Sequence, residues 1–299
     1  MIAGQAAAQS SAFSGSANDA YDYCRRMAKN HYENFPIASI FIPGSKRKHF
    51  YAAYAFMRTA DDFADNEALD ITQRLQLLLQ WQSKLDACYR GIADEPIFVA
   101  LRETVRTCGI PKDYFDQLLN AFKVDLFKNT YQNFDELLEY CSFSANPVGR
   151  IVLCILGYNS HPEKELFYSA TDSICTALQL TNHWQDVFVD LRKSRCYLPQ
   201  DEMVRFSYSV HDMSNKKINT QFANLMAFQV HRARDFFLKG KSVLSYLKRP
   251  ERYEIILIWL GGMRILEKLE KNNYDVHNRR PEIGVVDAIR ILYRMITFK

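Results

Sequence analysis

Asp61 and Asp65, and again Asp186 and Asp190, stand four residues apart in stretches that are otherwise largely apolar. The first pair lies in Arg58-Thr-Ala-Asp-Asp-Phe-Ala-Asp65, the second in Gln179-Leu-Thr-Asn-His-Trp-Gln-Asp-Val-Phe-Val-Asp190. On a helix this spacing stacks both carboxylates on one face, about 6 Å apart along the axis. Like charges placed so destabilise a bare helix by roughly 0.2–0.5 kcal/mol. A divalent cation turns that repulsion into a binding site. Carboxylates with open coordination positions suit magnesium, which shares its shell with water and substrate phosphates. Two such pairs in one chain point to helices that face a common pocket and grip a diphosphate from two sides.

The rest of the chain agrees with a helical fold. Glycine and proline number only 11 and 9, too few for a turn-rich β chain, while 48% of residues are hydrophobic. Helical periodicity predicts helices over residues 18–34, 45–66, 70–90, 94–108, 111–127, 133–156, 162–190, 216–247, 251–270 and 281–296. Pro147 is a candidate kink in the sixth. Residues 192–214 read as a loop with short turns. Residues 1–16, rich in Ala, Ser and Gly, read as a disordered tail without the basic start and apolar core of a secretory signal. Residues 17–299 read as a single all-α domain.

Net charge is +4, short of a nucleic-acid footprint. The longest strongly apolar run, residues 255–263, is too short to span a bilayer, which takes about 20 residues. A soluble cytoplasmic protein is expected, with peripheral contact at the inner membrane surface left open. The seven cysteines are scattered and form no Cys-x-x-Cys, which fits free thiols. Lys46-Arg47-Lys48 reads as a solvated helix start, with an anionic membrane surface or a substrate diphosphate as the alternative partner.

Around the aspartates, Arg58 precedes Asp61 by three residues and sets a guanidinium beside the carboxylates. Asn182 stands one turn before Asp186, so Asn182, Asp186 and Asp190 form one stripe with a neutral oxygen at its head. Arg192, Lys193 and Arg195 follow, either as surface charge or as a closure over a phosphate. The ligand set is all oxygen, which favours magnesium over iron or zinc. A helical scaffold without catalysis is disfavoured, because a scaffold has no need of repelling carboxylates.

These segments, together with Tyr54-Ala-Phe-Met-Arg58, Tyr140-Cys-Ser-Phe-Ser-Ala-Asn-Pro-Val-Gly149 and Arg195-Cys-Tyr-Leu-Pro199, resemble the squalene and phytoene synthase family of head-to-head isoprenoid enzymes, in family order over roughly residues 20–275. Glu33-Asn-Phe-Pro36, Ser144-Ala-Asn-Pro-Val-Gly-Arg150 and Leu180-Thr-Asn-His-Trp-Gln-Asp186 most resemble its hydroxysqualene synthases of bacterial hopanoid pathways. The resemblance implies an isoprenoid-synthase-type helical bundle around a central cavity. It also implies magnesium at Asp61, Asp65, Asp186 and Asp190, with Arg58 and Asn182 at the diphosphate. Arg192 and Arg195 are further candidates for diphosphate contact. His31, Tyr54 and Tyr140 match polar residues that line the site and are the catalytic candidates. The implied reaction takes presqualene diphosphate and water to hydroxysqualene. The alternative is condensation of two farnesyl diphosphates to presqualene diphosphate or squalene.

Overall fold

In the computed structural model, residues 13–30 and 41–298 are described; residues 1–12 of the expected tail, and His31, lie outside them. Helices and turns make up these residues, with no strand among them. The helices are α1 Ala17–Asn30, α2 Gly44–Ala64, α3 Ile71–Tyr89, α4 Pro96–Cys108, α5 Lys112–Val124, α6 Phe134–Ser144, α7 Asn146–Leu156, α8 Lys164–Gln185, α9 Val187–Arg192, α10 Gln200–Arg205, α11 Val210–Ser214, α12 Thr220–Gly240, α13 Val243–Tyr246, α14 Glu251–Lys271 and α15 Val285–Ile296.

Local chemistry accounts for many of the boundaries. Asp70 accepts from Gln73 N at 2.8 Å while the Gln73 side chain accepts from Asp70 N at 3.0 Å, a reciprocal cap that starts α3. Asn133 and Asn219 cap α6 and α12 in the one-way form, each accepting at 2.9 Å. Gly109 and Gly157 end α4 and α7 with φ of 61° and 87°, where a side chain would be strained. The helix expected over residues 133–156 divides at Ala145, because Pro147 has no N–H to continue the ladder of α6. The one expected over 162–190 divides at Asp186 (φ −109°). Even so, Asp186 N reaches Asn182 O at 2.9 Å and Asp190 N reaches Asp186 O at 2.8 Å. The four-residue rhythm crosses the break, and the acidic stripe survives it.

The core positions two helices above all. Behind α2, Phe56, Trp81, Phe98 and Phe115 from four helices meet with ring centroids 4.5–6.0 Å apart. Trp81 Nε1 also donates to Phe56 O at 3.3 Å. These rings fix the inner face of α2 in place. Helix α8 is packed by α7, α12 and α14. Gly149 on α7 and Gly240 on α12 press against it so closely that a Cβ on either would collide with α8 atoms. Lys46 corrects one expectation: it donates to Leu156 O at 2.8 Å and pairs with Glu251 at 3.1 Å, so it ties α2 to α7 and α14 instead of standing in solvent.

Candidate active site

Three helices line one chamber of about 500 Å³ at the same periodic positions. From α2 come Tyr54, Met57, Arg58 and Asp61; from α5, Leu118, Ala121 and Phe122, with Asp125 just past its end; from α8, Gln179, Asn182 and His183, followed by Asp186. Each set follows the i, i+3, i+4, i+7 spacing of a single helix face. Tyr140, Ser144, Val148, Asp190, Arg195 and Tyr197 complete the wall. The size is that of a small-molecule site, which runs about 300–1,000 Å³. Acids and arginines share the wall with Met57, Leu118, Ala121, Phe122 and Val148.

The acids from the two halves of the sequence meet here. Asp65 binds Lys193 at 2.7 Å and Arg195 at 3.0 Å, which joins the end of α2 to the loop after α9. Arg58 reaches Asp62 at 2.7 Å and Asp61 at 3.4 Å. Arg280, from the segment before α15, forks onto Asp186 at 2.5 and 3.0 Å. Asp190 has no hydrogen bond or ion pair among the described contacts of its carboxylate.

The electrostatics follow from that pairing. Burial and then the charge of Asp186 push Asp190 up to about 7, against the pull of Arg195 and Lys193. Burial and the neighbouring Asp65 push Asp61 up to about 6, although Arg58 opposes them. Burial would also raise Asp65, but the bonds from Lys193 and Arg195 outweigh it and hold the carboxyl below its usual range.

A second acidic group stands on the α5 side. Tyr140 Oη donates to Asp125 Oδ2 at 2.8 Å, and the buried Asp125 Oδ1 has no partner. Burial pushes Asp125 up to about 6, opposed by the Tyr140 bond. Burial also drives the Tyr140 phenol well above its ordinary value. Beside them His183 stacks on Tyr197 at 3.6 Å between ring centroids, and burial lowers its pKa to about 3, so the imidazole is neutral.

Of the residues expected from sequence, Tyr54, Arg58, Asp61, Tyr140, Asn182, Asp186, Asp190 and Arg195 line the chamber. Asp65 stands at its edge through its ion pairs. Arg192 does not join them: it lines a neighbouring depression of about 490 Å³ that shares Arg195 with the chamber. Its position on α9 explains this, since two residues past Asp190 is about 200° around a helix. His183 lines the chamber while serving as a packing ring. Sequence reasoning missed Asp125 and Arg280. Asp125 continues the α5 spacing from Leu118 and was legible in principle. Arg280 lies 94 residues from Asp186 and carries no local signal.

As the side chains stand, no three His, Cys, Asp or Glu groups among the described residues converge closely enough to hold a metal ion. Arg58, Lys193, Arg195 and Arg280 engage Asp61, Asp65 and Asp186 instead. The donor set nevertheless fits a hard divalent cation: it is all oxygen, and Asp190 is a half-buried carboxylate with no direct cationic partner.

A helical shell whose acidic faces meet across one chamber is the isoprenoid-synthase type of all-α fold, and solved structures share it. The squalene synthase HpnC from Alicyclobacillus acidocaldarius has a TM-score of 0.79 at 34% identity, with 86% of this chain and 95% of that one covered. A dehydrosqualene synthase solved with a ligand has a TM-score of 0.84 at 21% identity, over 94% and 97% of the two chains. The sequence profile described as squalene/phytoene synthase matches residues 28–286. Phytoene synthase of Arthrospira platensis is 30% identical over 88% of each chain. The chain belongs to the squalene/phytoene synthase family, whose members are prenyltransferase-type enzymes that bind prenyl diphosphates. No helix among the described residues is long and apolar enough to cross a membrane.

Proposed function

We propose that this enzyme converts presqualene diphosphate and water to hydroxysqualene and diphosphate, a step that supplies hopanoid precursors in the cytoplasm. The observation that carries the reading is the pairing of two halves in one chamber: acidic stripes with arginines, and a buried unpartnered acceptor, Asp125 Oδ1, on the same wall. Identity of 34% with the HpnC squalene synthase, against 30% with the Arthrospira phytoene synthase, supports the squalene side of the family.

Asp61, Asp65, Asp186 and Asp190, with Asn182 beside them, are the residues that would hold magnesium, which supplies positive charge to a departing diphosphate. Arg58 and Arg195 face the same charge from the wall. The carbon–oxygen bond breaks and its electron pair leaves with the diphosphate. The cyclopropane bonds then rearrange to an open cation. Leu118, Phe122 and Val148 exclude bulk water, so one admitted water is the nucleophile. Its oxygen bonds to the cationic carbon, and its surplus proton passes to Asp125 Oδ1. Tyr140 holds Asp125 through Oδ2 and so aims the free oxygen. An Asp held near 6 suits this transfer, because a base works best when its pKa lies near the operating pH. No reductant enters the balance.

A second reading, head-to-head condensation of two prenyl diphosphates, is favoured by the phytoene synthase relatives. Purified protein with magnesium should turn presqualene diphosphate into a product heavier than squalene by one oxygen atom. Turnover of farnesyl diphosphate alone, with presqualene diphosphate untouched, would transfer the assignment to condensation.

A further inference from the structure

Helix α15 is folded inside out. Its one acid, Asp287, is buried, bonded to Arg264 Nε at 2.7 Å and Lys268 Nζ at 2.6 Å on α14. Ile291 and Met295, one and two turns on, complete the packed side. Val285, Val286, Ile289, Leu292, Tyr293 and Ile296 are left 46–79% exposed. At about 100° per residue, these six span an arc of roughly 120° on the side opposite Asp287, Ile291 and Met295. Six of the sixteen large apolar side chains exposed among the described residues fall in this one helix, so they form a patch rather than the scatter of an ordinary surface.

The exposed charge on α15 itself is basic. Arg290 and Arg294 follow the apolar arc on one side, about 40° and 80° beyond Val286, and α15 exposes no acid. Arg290 has no described partner, while Arg294 reaches Glu267 at 2.5 Å. A second copy is a poor fit. A 12-residue helix is about 18 Å long, and one face of it falls well short of the ~800 Å² per partner of a stable complex.

We propose that α15 docks on an anionic lipid surface, with its aliphatic arc in the headgroup–acyl boundary and Arg290 on a lipid phosphate. An apolar arc with an unpaired arginine at its edge and no exposed acid is the form of an interfacial helix. The geometry also links this surface to the chamber. Arg280, on Asp186, and Pro281, whose carbonyl accepts from Gln185 Nε2, lie in the segment that leads into α15. A docked helix therefore fixes the chamber edge relative to the bilayer, whatever reaction the chamber performs.

The test is co-sedimentation of the full-length protein with vesicles of mixed phosphatidylglycerol and phosphatidylcholine, against phosphatidylcholine alone. Wild type should pellet with the anionic vesicles and less with the neutral ones. Ile289→Glu/Ile296→Glu should lower the bound fraction about 10-fold or more, and Arg290→Glu should remove the preference for anionic lipid. Tyr293→Ser, a milder change, should lower binding in the same direction if the double variant folds poorly. Circular dichroism and turnover of detergent-dispersed substrate should match wild type, which separates this inference from the assignment of the reaction. The proposal fails if wild type stays in the supernatant, or if the substituted helix binds as well as the native one. It fails too if the patch proves to be covered by a second copy or by the chain's own terminal residues, seen as a dimer or a compact monomer indifferent to vesicles.

Discussion

Asp190 and Asp287 are the same residue in two opposite electrostatic settings. Asp287, between α14 and α15, is met by Arg264, Lys268 and the backbone N–H of Gly284. Burial alone would raise its pKa, but these partners drive it far below the usual carboxylate range. Asp190, on the chamber wall, has Asp186 as a near neighbour and no direct partner, and it is pushed up to about 7. One network is closed and serves the fold. The other is left open, and a fold that only needed to be stable would have filled it. Unmet charge at a shared cavity therefore marks the site more reliably than the presence of acids does.

The contrast makes predictions that differ in kind. The largest effect is on chemistry: Asp186→Asn should lower kcat by about 10³-fold in an assay of prenyl diphosphate turnover, with unchanged helical content by circular dichroism. Activity within a few-fold of wild type would remove Asp186 from the functional group. The next effect is on stability. Asp287→Ala takes a buried carboxylate away from the half-buried Arg264 and Lys268, which keep Glu267 and the Glu282 carbonyl, and should cost about 1–3 kcal/mol in denaturant unfolding, while kcat per folded molecule is retained. If kcat collapsed with it, the closed network would not be merely structural.

The smallest effect carries the sharpest signature, its dependence on pH. The folded pKa of Asp190 is about 7, above the ordinary value of about 3.9, so its ionisation opposes folding. That penalty is complete above about pH 7 and vanishes as the pH falls to about 4. Asp190→Asn should thus stabilise the metal-free protein by about 1–2 kcal/mol at pH 8 and by nothing near pH 4, in unfolding titrations. Asp287 has the opposite sign: its pKa is depressed, so its contribution is present at neutral pH and is lost only as acid reaches the folded value. A gain from Asp190→Asn that did not vary with pH would mean that the two sites do not differ in charge balance.

The fold class and most of the helices were legible in the chain, because apolar spacing, caps and Gly or Pro stops act over a few residues. The acidic stripes were legible for the same reason: residues four apart share a helix face whatever the rest of the molecule does. Asn182, Asp186 and Asp190 kept their alignment even through a helix break that periodicity did not reveal. Arg195 lines the chamber with Tyr197 while Arg192, three residues earlier, lines the neighbouring depression, because sequence nearness does not say which way a loop turns. Lys46 looked solvated until α7 and α14 were brought to it.

Sequence by itself determined which faces of α2 and α8 are acidic, and with them the family. Tertiary structure alone decided that those faces oppose each other, that Arg280 closes on Asp186, and that α15 turns its aliphatic side outward. The reason is range. Periodicity is fixed by backbone geometry within a turn or two, whereas the partner of a buried charge is whichever group the packing of distant helices delivers.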